Sequence, residues 1–315
     1  MSHNRSLSNY NRGYLTALFS AVIQSTSSVL IRHLNLQYQI PALVMVYWRE
    51  LFVALMLLVI LTLFQRGAMK GIRPHLPFLS VFGVLLASFN ATYTISVILN
   101  GAAISTALVY VSGAFTAILG WIFLKEKLTS IKIAAILINL AGCALLMEVY
   151  KPEAWTVNTS GILIGLLSGL TYAVYTLFGR RSTQQGINSW ASLLTAFAIA
   201  SCIVLILNLA FGGSLPGGAP EPRDMLWLGK AWDGWGYLLL LAAGPTLMGF
   251  GSYITALRYL PAGTTNLILT AEPVVTAILA FFLLGEVLSR IQVVGGLLIM
   301  TGVILLRIRP GANAE

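Results

Sequence analysis

Apolar runs of about 20 residues, parted by short polar interruptions, recur along the whole chain, and that is the length a helix needs to cross a hydrocarbon layer. Ten runs qualify, near residues 12–32, 41–64, 74–98, 101–124, 130–149, 159–180, 188–211, 235–258, 262–285 and 290–308. Short connections make successive helices antiparallel neighbours. The exception is 212–234, GGSLPGGAPEPRDMLWLGKAWDG, whose glycines and prolines mark a genuine loop. Trp227 and Trp232 in it, with Trp235 and Trp155, are expected in an interfacial aromatic belt. The pattern predicts an all-α integral membrane protein with no room for a soluble domain.

Composition agrees. Of 315 residues, 57% are hydrophobic and 9% charged, against about a quarter charged in a soluble domain. The net charge of +9 comes from Lys and Arg scattered at the ends of apolar runs. They form no patch with interleaved aromatics, so nucleic acid is not an expected partner and the lipid bilayer is. Cys143 and Cys202 fall inside apolar runs and read as packing residues. His3, His33 and His75 show no ligand spacing, so neither a metal nor another cofactor is expected. The first run carries a polar QSTSS centre and no small-residue cleavage pattern follows it, so it should remain in the mature protein.

Orientation follows from the 19 Lys and Arg. With the first span starting inside, Arg32, Lys151, Arg223, Lys230 and Arg290 fall at outer ends, Arg49 lies within a span, and the other thirteen sit at inner ends. This positive-inside bias places both termini in the cytoplasm and the protein in the cytoplasmic (inner) membrane.

The ninth run places Glu272 and Pro273 side by side near mid-span. A carboxylate at that depth costs a few kcal/mol unless it faces a polar cavity or a partner. Proline removes a backbone donor and frees a carbonyl at the same level. Charge and helix break together point to a substrate or ion site, the alternative being a buried acid satisfied by a neighbouring helix.

The chain also repeats itself. Shifted by 160 positions, Leu124-Lys125-Glu126-Lys127-Leu128 falls on Leu284-Gly285-Glu286-Val287-Leu288, Thr116 on Thr276, Tyr93 on Tyr253 and Gly142 on Gly302. The first helix needs a shift of 148, which pairs Ser20 with Ser168 and Arg32 with Arg180. Two halves of five helices must be inverted, because five is odd, and a site is expected where they meet. The divisions are an N-terminal tail 1–11, a first repeat 12–150, a second repeat 159–308 and a C-terminal tail 309–315.

The stretch Gly251-Ser252-Tyr253-Ile254-Thr255-Ala256-Leu257-Arg258-Tyr259-Leu260-Pro261-Ala262-Gly263, continuing to Ala271-Glu272-Pro273 and Leu283-Leu284-Gly285-Glu286, resembles the EamA-type members of the drug/metabolite transporter superfamily. The resemblance runs over essentially the whole chain. The first half is a weaker copy, with Ser112-Gly113 in place of Glu-Pro, and Gln24-Ser25 stand where the family usually carries Trp-Gly. The resemblance implies ten helices in two inverted five-helix repeats around a central cavity. It also implies alternating-access transport, mostly export of small metabolites such as amino acids, nucleosides or toxic compounds.

Glu272 leads the candidates for that site, either as the partner of a substrate amino group or as an acceptor of a coupling proton. Pro273 would open the backbone beside it, as a site feature or as a tolerated kink. Arg49 can hold a substrate carboxylate bidentately or anchor the second helix, while Glu50, about 100° away on the same helix, reads as structural. Gln24, Tyr93, Tyr110, Ser112, Tyr172, Tyr175, Tyr253 and Asn266 complete the candidate substrate-binding set. Each can also serve only helix packing. Gly161, Gly165 and Gly169 read as close-packing positions, and Gly142 and Gly302 as a conceivable dimer face, so monomer and homodimer both stay open.

No Walker motif occurs, so ATP is not the direct driver, and a proton gradient or substrate exchange remains. The expected function is a secondary active transporter, an exporter of an amino acid or similar amphipathic solute. The alternatives are a nucleoside or cationic drug transporter of the same fold and, more remotely, an intramembrane enzyme. The last would need a second acid, a His cluster or a nucleophile with its base at the depth of Glu272.

Overall fold

The computed structural model describes residues 2–65, 67–146, 148, 150–151, 159–284 and 289–308. Trp155, Glu286 and the tail 309–315 lie outside the described residues. Among those described, every regular element is helical. The helices are α1 (Ser2–Tyr38), α2 (Ala42–Phe64), α3 (Leu76–Asn100), α4 (Ala102–Tyr110), α5 (Ser112–Leu124), α6 (Ser130–Leu146), α7 (Thr159–Gln184), α8 (Ser189–Phe211), α9 (Trp232–Leu241), α10 (Gly249–Ala256), α11 (Ala262–Leu269), α12 (Glu272–Leu284) and α13 (Arg290–Ile308).

Among the described residues, eight helical stretches are long and apolar enough to cross a membrane. Three of them are compound: α4 continues into α5, α9 passes through a π-helical segment (Ala242–Met248) into α10, and α11 continues into α12. The shorter apolar helices α6 and α13 bring the bundle to ten. They pack flank to flank, because a Cβ on Gly142 would lie 2.7 Å from the carbonyl oxygen of Gly295, and one on Gly302 would collide with the Asn139 side chain. Both glycines are therefore spent inside the chain, and neither marks a free dimer face.

Local sequence explains the joints. Asn188 caps α8 by accepting from the amides of Trp190 and Ala191. Gly101, at φ 84°, turns α3 into α4, a conformation glycine adopts without strain. The 212–234 loop is pinned down: the Leu43 amide donates to the Gly217 carbonyl (2.7 Å), Trp48 Nε1 to that of Met225 (2.6 Å), and Trp227 Nε1 to that of Tyr38 (2.9 Å).

The repeat is visible in the backbone. Between α4 and α5 the Val111 amide bonds the Leu108 carbonyl (3.3 Å) and the Ala114 amide the Val111 carbonyl (3.2 Å). Between α11 and α12 the Ala271 amide bonds Ile268 (3.2 Å) and the Val274 amide bonds Ala271 (3.2 Å), the same two bonds 160 residues on. The pairing Arg32/Arg180 also has a structural counterpart, since each guanidinium donates to a carbonyl near the end of the third or eighth span, Ile98 (3.0 Å) and Leu257 respectively.

An interruption at this level does not need a proline. The ninth span breaks at Thr270–Ala271, ahead of the proline, and the fourth breaks at the equivalent level with no proline at all. Pro273 is the second residue of α12, where its missing N–H would have had no intrahelical acceptor. The interruption belongs to the fold.

Candidate functional site

Where the two breaks face each other, the halves enclose a small cavity of about 20 Å³, room for about one water. Glu272 enters it as the first residue of α12, where the helix dipole favours a negative charge. Tyr110, the last residue of α4, donates its hydroxyl to Glu272 Oε2 from the opposite half. The glycines of α7 bring that helix against the break: a Cβ on Gly165 would strike Leu108 and Ser96, and one on Gly169 would lie 3.1 Å from the carbonyls of Leu108 and Val109.

Arg49 reaches the same cavity from α2 and is buried. Its Nε and Nη2 have no hydrogen-bond partner among the described residues. Glu50, adjacent in sequence, accepts from Asn90 Nδ2 (3.0 Å) through Oε1, and its Oε2 has no donor among the described residues. A buried guanidinium with unpartnered nitrogens is costly, and a planar anion is the partner its fork fits.

Of the residues singled out from sequence, Gln24, Arg49, Tyr93, Tyr110, Tyr172 and Glu272 line the cavity. Gln24 is braced by Ser20 (2.7 Å), which in turn donates to the Gly249 carbonyl (2.8 Å). Tyr93 exchanges a hydrogen bond with Thr106 (3.2 Å). Four other candidates do not reach the lining. Tyr253 donates to Thr176 and stacks on Tyr172, while Tyr175 stacks on Phe82 at 4.6 Å. Asn266 bonds Thr116 (2.6 Å) and lies 3.4 Å from Ser112, so that pair ties α11 to α5.

The wall that sequence reasoning did not name is largely Phe89, Pro245 and Phe250. Pro245 sits in the π-helical segment of the eighth span, and a proline within that apolar run was the available signal. Phe89 faces Tyr172 at 4.6 Å, and Phe250 closes on Tyr175 at 5.8 Å. Together these rings give the cavity an apolar body around its two charged side chains.

The sequence profile of the EamA-like transporter family matches twice, over residues 11–148 and 159–308. The chain belongs to that family. Among relatives of this EamA-like protein is the uncharacterized inner membrane transporter YicL of Salmonella typhimurium, 25% identical over 96% of this chain and 98% of the relative. The uncharacterized transporter YyaM of Bacillus subtilis is 24% identical over 82% of the chain and 81% of its own length. A crystal structure that superposes with a TM-score of 0.69 covers 94% of this chain and 96% of its own at 17% identity, a likeness of fold. Family and relatives make the EamA-like chain an integral membrane protein of the transporter type and point away from an enzyme.

Proposed function

We propose that the chain is a secondary active exporter of a small zwitterionic metabolite, an amino acid or similar amphipathic solute, working by alternating access. Both termini lie in the cytoplasm on this reading, as the positive-inside bias suggests. The observation that carries it is one cavity lined by the Arg49 guanidinium, whose Nε and Nη2 have no partner among the described residues, and by the Glu272 carboxyl, which accepts from Tyr110. Arg49 takes the substrate carboxylate in its planar fork and Glu272 takes the amino group. The cavity of about 20 Å³ has room for about one water, so on this reading a substrate is admitted only as the halves move apart, as alternating access requires.

Glu272 also supplies a coupling scheme. Its carboxylate can hold a proton or pair with the substrate ammonium, and the two compete. A proton entering on Glu272 from outside displaces the substrate outward, and its release inside frees the carboxylate for the next substrate. The aromatic walls support a second reading, a nucleoside or an aromatic cation, for which Arg49 would not be needed.

The test is counterflow in proteoliposomes loaded with candidate solutes, followed by uptake under an imposed pH gradient. Exchange of an amino acid that requires both its carboxylate and its amino group supports the proposal. Exchange of nucleosides or cations that lack a carboxylate, with no amino acid exchanged, favours the second reading.

A further inference from the structure

Away from the cavity, one carboxylate that the transport scheme does not use joins the two halves. Glu126 follows the fourth span, and its Oε1 accepts the Ala262 amide at 2.7 Å while its Oε2 accepts the Gly263 amide at 3.2 Å. These amides open α11, so a charge from the first half sits on a helix N-terminus of the second. The grip is prepared locally. Lys125 takes the left-handed conformation (φ 56°), and the Glu126 amide closes back on the Gly120 carbonyl at 3.1 Å, which ends α5 and folds the carboxylate over its last turn.

The surroundings keep the carboxylate engaged. Buried Lys132 places its Nζ 3.9 Å from Glu126 Oε2 and ties itself to the Lys127 carbonyl at 3.2 Å. Backbones also meet here, since a Cβ on Gly263 would lie 3.2 Å from the Cα of Ala117. The cavity lies on the other side of this contact: from Ala262, α11 leads to the break at Thr270–Ala271 and to Glu272. Opening the cavity toward this end requires α11 and α5 to part, and with them the Glu126 bonds.

We infer that Glu126 is the latch of the gate at this end of the bundle, the cytoplasmic end, closed in this structure and released when the cavity faces that side. The inference rests on the alternating-access reading. It makes α11 a lever with the latch at one end and, at the other, the break that leads to Glu272.

The test uses the full chain with Cys143 and Cys202 replaced by alanine and a reporter Thr116→Cys, whose parent side chain is buried between the latch and the cavity. A membrane-impermeant thiol reagent is applied to inside-out and right-side-out vesicles. In Glu126→Ala, labelling from the cytoplasmic side should rise about tenfold or more, in keeping with loss of hydrogen bonds to a charged acceptor, and labelling from outside should not rise. Ala262→Pro breaks the same contact from the other half, at a first helical position that tolerates proline, and should reproduce the effect.

Labelling within about twofold of the parent in folded Glu126→Ala and Ala262→Pro would overturn the latch. If Glu126→Ala fails to insert, Ala262→Pro and Glu126→Gln carry the same reading. Counterflow in the same vesicles separates the two failures: unchanged labelling with intact counterflow removes the latch alone, whereas absent counterflow in the wild type removes the transport reading.

Discussion

Tyr110 and Glu272 meet across the two halves of the chain, the last residue before the break in one repeat donating to the first residue after the break in the other. The contact exists because both long spans are interrupted at one level. The interruption lets α4 end on a tyrosine and α12 begin on a glutamate that face a shared cavity. Replacing Tyr110 by Phe removes the only side-chain donor to Glu272 among the described residues. Substrate binding in Tyr110→Phe should weaken by about five- to tenfold, of the order of one hydrogen bond, measured by titration with the ligand that wild type binds.

Arg49 and Glu50 are neighbours with separate tasks. On the proposed reading, Arg49→Gln abolishes binding of solutes through their carboxylate and leaves binding of the decarboxylated amines to Glu272 intact. Competition of each amine against the parent amino acid, in wild type and variant, checks this. Equal loss for acid and amine would make Arg49 a packing residue.

Among the described residues, the Asn90 amide is the one donor that the Glu50 carboxyl finds. Asn90→Leu strands that carboxyl without a partner and should destabilise the protein by about 1–3 kcal/mol. Glu50→Gln keeps a partner for Asn90 and removes a buried ionisable group, so it should be close to neutral. Thermal unfolding of the two variants in the same detergent gives the comparison.

The break in the ninth span should survive loss of its proline. Pro273→Ala restores an N–H at the second position of α12, where no intrahelical acceptor exists, and the fourth span shows the same turn without proline. Stability should change by less than about 1 kcal/mol, the scale of a compatible proline exchange, and counterflow should persist. Loss of counterflow with unchanged stability would return the break to Pro273.

The α6–α13 contact should be intolerant of bulk. At Gly142 a Cβ would meet a carbonyl oxygen at 2.7 Å, so Gly142→Ala forces two helices apart and should cost about 1–3 kcal/mol, typical of overpacking. The same change at Gly244, where nothing approaches within 4 Å, should be harmless. Folded yield by fluorescence size exclusion reads both.

Depth was legible in the sequence and facing was not. Hydropathy located the spans, the 160-residue shift paired the two halves, and the isolated charge of Glu272 marked the cavity, while the break in the fourth span, which has no proline, went unseen. Around a helix the same methods are weak, because polar and aromatic residues serve cavity and packing alike. Tyr93 and Tyr253 correspond in the repeat, yet only Tyr93 faces the cavity, while Tyr253 stacks in an aromatic layer with Tyr172 and Tyr175. Asn266 and Ser112 share the level of the breaks but spend their polar groups between α11 and α5. Phe89 and Phe250 carry no polar signal, so only their neighbours in three dimensions reveal them.

The most direct measurement is the thermal shift of purified wild type and Glu272→Gln with saturating amino acid. A ligand that binds the folded state stabilises it by RT ln(1 + [L]/Kd). Stabilisation of wild type that disappears in a folded Glu272→Gln is the expected result and places the carboxylate on the substrate. Equal stabilisation of both proteins would contradict it, and the amino group would have to be held elsewhere in the cavity.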